Sequence, residues 1–411
     1  MKICIVSQTF APQEEGGAEI SARLGAIELG QRHDVTVLAL GKEGDALAPP
    51  GETRLQGGIR VVRLPWNNSY LPLPRKSSAG FLRRASWHLR TAMGAICPER
   101  LTRFLVTEKF DLIYAQNSAY MQPALFIAAR KANIPLCLHL RDYGLLCPKT
   151  SMFRNGDNCE RPCLDCSMLN RRMRDMTGSG MTVIAVSDAL RHRFISNGVL
   201  SDAVWHVMHN TNATENTFDT GMIGRDRPAT STFTFGYLGA IADEKGVKDM
   251  VRAFLDLPQG QNARLIIAGR GRDGDIARLK QLSADARIEF KGFVRPEEIY
   301  RVADAMIVPS RWHEPQSRIL VEAPIYGIPV IGTMRGGTTE ILREHQTGWY
   351  YDPDKPDVLT QLMAKALTIG QKQWWEKRDE NFPGVSGFKG TAESSGYYGR
   401  LESILLAAAV R

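Results

Sequence analysis

Apolar residues along the chain fall into short β-branched runs separated by stretches of helical spacing. The first run, Lys2–Ser7, gives way to TFAPQEEGGAE and then to IxxxLGxxELG, which places an apolar residue every three to four positions. A second strand is expected at Asp34–Leu40. Strand, glycine loop, helix, strand is the grammar of a parallel sheet, whose strands are covered on both faces and therefore read as continuous apolar runs. Further strands are predicted at Ile59–Arg63, Leu112–Ala115, Leu136–Leu140, Thr182–Val186 and Ala203–Met208, with helices at Pro123–Ala132 and Asp188–Asn197. The stretch Asn212–Ser231 is polar and rich in Thr, Asn, Asp and Gly, as suits a domain boundary. Beyond it the grammar restarts, with strands at Phe233–Leu238, Arg264–Ala268, Ile288–Lys291, Ala305–Val308 and Pro329–Ile331 and a helix at Gly246–Leu255. The pattern predicts two Rossmann-like halves of an α/β protein, 1–212 and 225–390. A C-terminal helix over about 394–411 is expected to return to the first half.

Length and composition agree with this reading. A chain of 411 residues has room for two or three domains, and 43% hydrophobic with 23% charged residues excludes disorder, collagen-like repeats and coiled coil. The net charge of +8 is unevenly placed: up to Glu215 there are 26 basic and 19 acidic residues, and beyond it 26 and 25. An excess this diffuse does not suit a nucleic-acid binder, but it could face an anionic membrane or substrate. The segment Leu71–Pro98 holds Arg75, Lys76, Arg83, Arg84 and Arg90 and no acid, interleaved with Phe81, Leu82, Trp87 and Leu89. It reads equally as a basic amphipathic helix for an anionic membrane surface and as a helix covering the first domain with solvated arginines. MKICIVSQTF reads as a strand and not as a secretory signal, and no apolar run approaches the ~18 residues of a membrane span. The expected location is the cytoplasm, with or without peripheral attachment to the inner face of the membrane.

The most informative stretch runs from Val308 to Glu340, VPSRWHEPQSRILVEAPIYGIPVIGTMRGGTTE. A strand ends at Pro309-Ser310, a loop follows, and a helix is expected from Ser317, whose hydroxyl would cap its first amides and help to bind an anion. Glu314 and Glu322 stand eight residues apart, a spacing also common on solvated faces. The surrounding order of strand end, Pro-Ser, Glu, helix, GIPVI and GGxxE makes it specific.

With these motifs the sequence resembles the retaining glycosyltransferases of family 4. The resemblance extends through FxPxxGGAE at Phe10–Glu19, HDVTVL from His33, VSDALRHRF from Val186, Asn210, GYLGAIADEKG from Gly236, IIAGRG from Ile266 and FKGFV from Phe290. It implies the GT-B fold, two facing Rossmann-like domains with an interdomain cleft, and a transferase that moves a sugar from a nucleotide-diphosphate sugar to a saccharide or lipid-linked saccharide with retained configuration. Glu314 would contact the donor sugar near the reacting carbon, Glu322 the ribose, and the amides of Ser317, Arg318 and Ile319 the diphosphate. Lys245 matches the diphosphate lysine, and Gly17, Gly239, Arg270, Phe293 and Val294 fall in donor-binding motifs.

Two departures stand out. Ala240 replaces the usual arginine, for which Arg318, Arg311 or Arg270 could substitute, Arg318 foremost. Gln316-Ser317 replaces Phe-Gly. No convincing DxD pair follows a strand, so no catalytic metal or other catalytic cofactor is expected. On the acceptor side, Asp142 matches the family aspartate, while His139 is read either as catalytic or as a core histidine. The departure at Ala240 leaves a second reading, a non-catalytic sugar-nucleotide binder that scaffolds polysaccharide assembly. An epimerase or phosphorylase of the same architecture ranks lower.

Four of the seven cysteines, Cys147, Cys159, Cys163 and Cys166, crowd one loop with the spacing C-x11-C-x3-C-x2-C. They suit a structural Zn²⁺ that pins a loop lacking a core, or else remain free thiols. An iron–sulfur cluster or a disulfide ranks below these.

Overall fold

A computed structural model of the chain describes residues 1–11, 16–41, 51–55, 58–65, 68, 80–93, 98–177, 180–211, 232–258, 260–342, 347–376, 380 and 390–410. The linker 212–231, together with Arg75 and Lys76, lies outside them. The chain divides into two compact units. One is Met1–Met152 with Cys159–Ala213 and Ala392–Arg411; the other is Phe153–Asn158 with Thr214–Thr391.

The first unit contains β1 (Lys2–Ser7), β2 (Asp34–Gly41), β3 (Gly51–Arg54), β4 (Arg60–Pro65), β5 (Leu112–Asn117) and β6 (Leu136–Leu140). The two-residue strands β7 (Phe153–Arg154) and β8 (Asp157–Asn158) pair as a hairpin that belongs to the second unit, and the first unit resumes with β9 (Thr182–Ala185) and β10 (Val204–Val207). The eight-stranded sheet has the order β10-β9-β6-β5-β1-β2-β4-β3, parallel except for β3 at its edge. The inner strands are sealed from water, as their apolar composition requires: Ile3, Ile5, Val37, Val61, Leu112 and Tyr114 share one core with the C-terminal helix Gly390–Ala409, which contributes Leu401 and Leu405. Glu402 on that helix pairs with Arg32 at 2.7 Å and His33 at 2.9 Å.

The second unit carries β11 (Phe233–Leu238), β12 (Ala263–Ala268), β13 (Ile288–Gly292), β14 (Ala305–Val308), β15 (Val330–Thr333) and β16 (Gly348–Tyr351), all parallel, in the order β13-β12-β11-β14-β15-β16. The order reverses between β11 and β14, which pair directly through Phe235↔Ala305 and Gly236↔Met306. Such a reversal leaves a crevice at the carboxyl ends of the two strands, where open α/β sheets bind their ligands.

Strands β3, β7, β8 and β16 were not predicted. GETR of β3 is wholly exposed and has no apolar alternation, and the hairpin strands are too short to show a period. One expected helix start is corrected: the helix after β14 spans Ile319–Ile325 with Arg318 as its N-cap, and no side chain caps it. Ser317 precedes it and supplies its carbonyl to the Leu320 amide at 3.3 Å instead of a hydroxyl cap.

Candidate active site

The loops leaving β11 and β14 bring the two strongest sequence candidates together. Lys245 ends a one-turn 3-10 helix, Asp243–Lys245, and its Nζ lies 2.6 Å from Oε1 of Glu314 and 4.9 Å from the centroid of the Trp312 ring. The other Glu314 oxygen accepts a hydrogen bond from Ser310 Oγ. Both carboxylate oxygens of a buried side chain are thus engaged, the arrangement that makes burial of a charge tolerable.

Two glycines permit this approach. At Gly246, with φ 67°, a Cβ would fall 1.9 Å from the Pro309 carbonyl oxygen, so the lysine loop lies directly on the end of β14. At Gly336, with φ 56°, a Cβ would fall 2.1 Å from the Glu314 carbonyl oxygen, which accepts the Gly337 amide at 2.8 Å. The paired glycines of GGTTE therefore cradle the backbone of Glu314.

The hairpin β7–β8 completes the support of this loop within the second unit. Asn158 Nδ2 donates to the Arg311 carbonyl at 2.9 Å, Asn158 Oδ1 accepts the His313 amide at 2.8 Å, and Arg311 Nη2 donates to the Gly156 carbonyl at 3.1 Å.

Glu322, on the first turn of Ile319–Ile325, is buried and held from two sides, by Tyr300 Oη at 2.7 Å and Arg318 Nε at 2.7 Å. Arg318 is therefore committed to an ion pair with only 12% of its side chain exposed. This bears on the arginine missing at Ala240. Arg270 lies beside that gap, since the Ile241 amide donates to its carbonyl at 2.7 Å, and its guanidinium stacks 4.0 Å from the Phe293 ring centroid. Phe293 is 59% exposed, Val294 is partly buried against the core that includes Ile299 and Tyr300, and Gly239 follows β11 with its amide donating to the Ala268 carbonyl.

In the first unit, β6 delivers His139, Arg141 and Asp142 to a small cleft also lined by Gln116, Ser118 and Gln122. Tyr114 Oη lies 2.6 Å from His139 Nδ1, whereas the buried His139 Nε2 has no protein partner. Burial, with Arg141 nearby, holds the imidazole well below its usual pKa, so it is neutral near pH 7. Arg141 is fixed by Asn210 and by Gln116. Asp142 accepts the Gly144 amide at 2.7 Å, and burial pushes its carboxyl up to about 6, with lesser contributions from Cys147 and Glu19. Glu19 is buried, accepts Thr9 Oγ1 at 3.0 Å and follows Gly17 at the start of helix Gly17–Gly30.

Ser310, Tyr300, Asn158 and Glu19 were not singled out from the sequence. Ser310 and Glu19 lie inside motifs already recognised. Tyr300 and Asn158 are 22 and 155 residues from the groups they bind and leave no local signal.

Among the described residues, no set of three or more His, Cys, Asp and Glu side chains is arranged to hold a metal ion. Cys163 and Cys166 are adjacent, with sulfurs 3.3 Å apart.

Residues 16–211 match the family described as "Glycosyl transferase 4-like domain", and residues 225–380 the family "Glycosyl transferases group 1". The chain belongs to the family-4-type glycosyltransferases. A Klebsiella pneumoniae relative, described as an uncharacterized 42.6 kDa protein in the cps region, is 23% identical to this glycosyltransferase over 346 residues, 84% of this chain and 88% of that one. Among solved structures, sucrose-phosphate synthase from Thermosynechococcus elongatus superposes with a TM-score of 0.73 at 16% identity, covering 99% of each chain. Anabaena HepE in complex with UDP and glucose does so at 0.62 and 22%, covering 96% of this chain and 99% of that one. These neighbours have the GT-B fold of two Rossmann-like domains, as this glycosyltransferase does.

Proposed function

We propose that the protein transfers a sugar from a nucleotide-diphosphate sugar to a saccharide or lipid-linked saccharide with retention of configuration and without a catalytic metal, in the synthesis of cell-surface polysaccharide or glycolipid. The observation that carries this reading is the Lys245–Glu314 pair at the reversal between β11 and β14. A leaving diphosphate gains negative charge as the glycosidic bond breaks, and a preorganised cation stabilises that charge more than it does the ground state. Lys245, aimed by Glu314 and Trp312, supplies the cation, and Arg270 on Phe293 supplies the one absent at Ala240. Glu314 accepts donor-sugar hydroxyls. Glu322, already oriented by Tyr300 and Arg318, accepts the ribose hydroxyls. The acceptor hydroxyl gives its proton to the departing diphosphate oxygen on the same face. UDP in the HepE structure favours a uridine donor.

The first unit supplies the acceptor side. Asp142 accepts an acceptor hydroxyl, and the unpaired Nε2–H of neutral His139 donates to another. A lipid-linked acceptor accords with helix Phe81–Ala92, where Leu82 is 81% exposed beside exposed Arg83, Arg84 and Arg90, and with the adjoining helix Leu164–Met176, where Leu164 is 83% exposed. Exposed apolar side chains ringed by arginines suit the surface of an anionic membrane. No described helix is long and apolar enough to cross one.

Thermal shift against nucleotides tests the donor side, since a ligand selective for the folded state raises Tm. UDP is expected to raise it in the native protein and not in Lys245→Ala. Unchanged Tm with every nucleoside diphosphate would contradict the assignment.

A further inference from the structure

Within the first unit, the cleft beside β6 collects polar groups that the fold leaves incompletely partnered. Arg141 follows β6 directly and is held by Asn210 Oδ1 and, at 3.1 Å, by Gln116 Oε1, both uncharged acceptors. Its buried Nε has no hydrogen-bond partner, and among the described residues no carboxylate forms an ion pair with its guanidinium. A cation partly withdrawn from water without a counter-charge is costly, because nothing local offsets the lost hydration. An anion bound in the cleft removes that cost.

Two more buried side chains line the same cleft, each with an unpartnered atom. At His139, 1% exposed, Tyr114 Oη lies 2.6 Å and Arg141 Nη2 lies 3.5 Å from Nδ1. A guanidinium nitrogen can only donate, so Nδ1 carries the lone pair and the ring proton sits on Nε2, which has no partner. Gln122, 4% exposed, is the complement, with an unpartnered acceptor at Oε1. A Cβ at Gly144 would lie 2.9 Å from Asp142 Oδ1 and 3.7 Å from Gln122 Oε1, so these two acceptors border one point. The cleft offers a cation, a donor and two acceptors.

These groups discriminate among ligands. A neutral sugar brings hydroxyls to His139, Gln122 and Asp142 but leaves the guanidinium without a counter-charge. A phosphate dianion brings a second negative charge against the two acceptors. A sugar bearing one carboxylate serves every group, since the carboxylate matches the planar guanidinium and ring hydroxyls both donate and accept. The excess of 26 basic over 19 acidic residues up to Glu215 accords with an anionic partner for this unit.

We propose that, given the first unit as the acceptor side, the acceptor is a saccharide bearing a carboxylate, a hexuronic acid in its simplest form. Arg141 binds the carboxylate, while His139 Nε2–H and Gln122 Oε1 hold neighbouring hydroxyls.

The test measures equilibrium binding to the full chain by calorimetry. The probes are the methyl glycosides of glucuronic, galacturonic and mannuronic acid, each beside its neutral hexose and its carboxamide, together with inorganic phosphate. At least one acid should bind roughly tenfold or more tightly than its hexose and its carboxamide, without competition from phosphate. These comparisons use the native protein and do not depend on a variant folding. Arg141→Gln should erase the preference while leaving hexose binding unchanged, and Arg141→Lys should restore part of it. Equal binding of every acid and its hexose, or a preference that survives in folded Arg141→Gln, would overturn the proposal. So would UDP-glucuronate binding more tightly than UDP-glucose while the free acids show no preference, which would put the carboxylate on the donor. Transfer to neutral saccharides with no preference for acids would overturn this acceptor class and leave sugar transfer standing; acid binding that depends on Arg141, without transfer from any donor, would do the reverse.

Discussion

The Lys245 ammonium stands 2.6 Å from the Glu314 carboxylate although 69 residues separate them, because β11 and β14, which carry their loops, are hydrogen-bonded neighbours. Neither group has a reason to be buried for stability alone, since removing a paired charge from water costs several kcal/mol before the pair recovers any of it. Glu314→Gln keeps the shape and one hydrogen bond but removes the charge that aims the lysine. Turnover is expected to fall ~100-fold or more, about 2.7 kcal/mol of transition-state stabilisation, with KM changed far less. Steady-state kinetics on folded variant protein checks this.

Gly246 leaves no room for a side chain. A Cβ would lie 1.9 Å from the Pro309 carbonyl oxygen and would have to adopt φ 67°. Gly246→Ala should therefore displace the Lys245 loop and destabilise the protein by roughly 1–3 kcal/mol. Denaturant unfolding should show a lower midpoint, and turnover should fall with it.

Arg270 is assigned the cationic role left vacant at Ala240. Arg270→Ala should raise the donor KM roughly tenfold, the loss of one charge-assisted contact of about 1.4 kcal/mol, whereas Arg270→Lys should recover only part of it because the flat stack on Phe293 is lost. Equal kinetics for native protein and Arg270→Ala would assign the role elsewhere.

Asp142 gives a pH signature. Its folded-state value of about 6 lies above the ordinary 3.8, because burial disfavours the charged form. Its contribution to stability is thus fully present below pH 3.8 and is lost as pH rises through 6. Activity runs the other way: in the proposed acceptor role Asp142 acts as the carboxylate, which predominates only above pH 6, so kcat/KM for the acceptor should fall on the acid side with a midpoint near that value. Asp142→Asn should lower the plateau and abolish that limb.

The fold class was legible because parallel strands buried on both faces must be apolar throughout, and β1, β6, β11 and β14 have the predicted bounds. The order of strands, and hence the meeting of Lys245 with Glu314, was not, because hydrogen bonding between strands distant in sequence leaves no local pattern. The donor loop was legible as a motif, yet its supports were not: Tyr300, Asn158 and the hairpin β7–β8 act across the fold on groups with which they share no periodicity. Arg318 shows the limit of spacing arguments. Its place in the loop makes it a candidate phosphate ligand, and the fold adds an ion pair with Glu322 four residues on, a contact that helical spacing brings within reach and that the motif does not announce.

The most direct measurement is release of nucleoside diphosphate from a panel of sugar nucleotides, with and without a saccharide or lipid-linked acceptor fraction, by native protein and by Glu314→Gln. Native protein should release the diphosphate from at least one donor, faster with acceptor, and Glu314→Gln should do so about 100-fold more slowly while remaining folded. Native protein that binds a sugar nucleotide yet releases nothing with any acceptor, or a Glu314→Gln variant as fast as the native protein, would contradict transfer at the Lys245–Glu314 site.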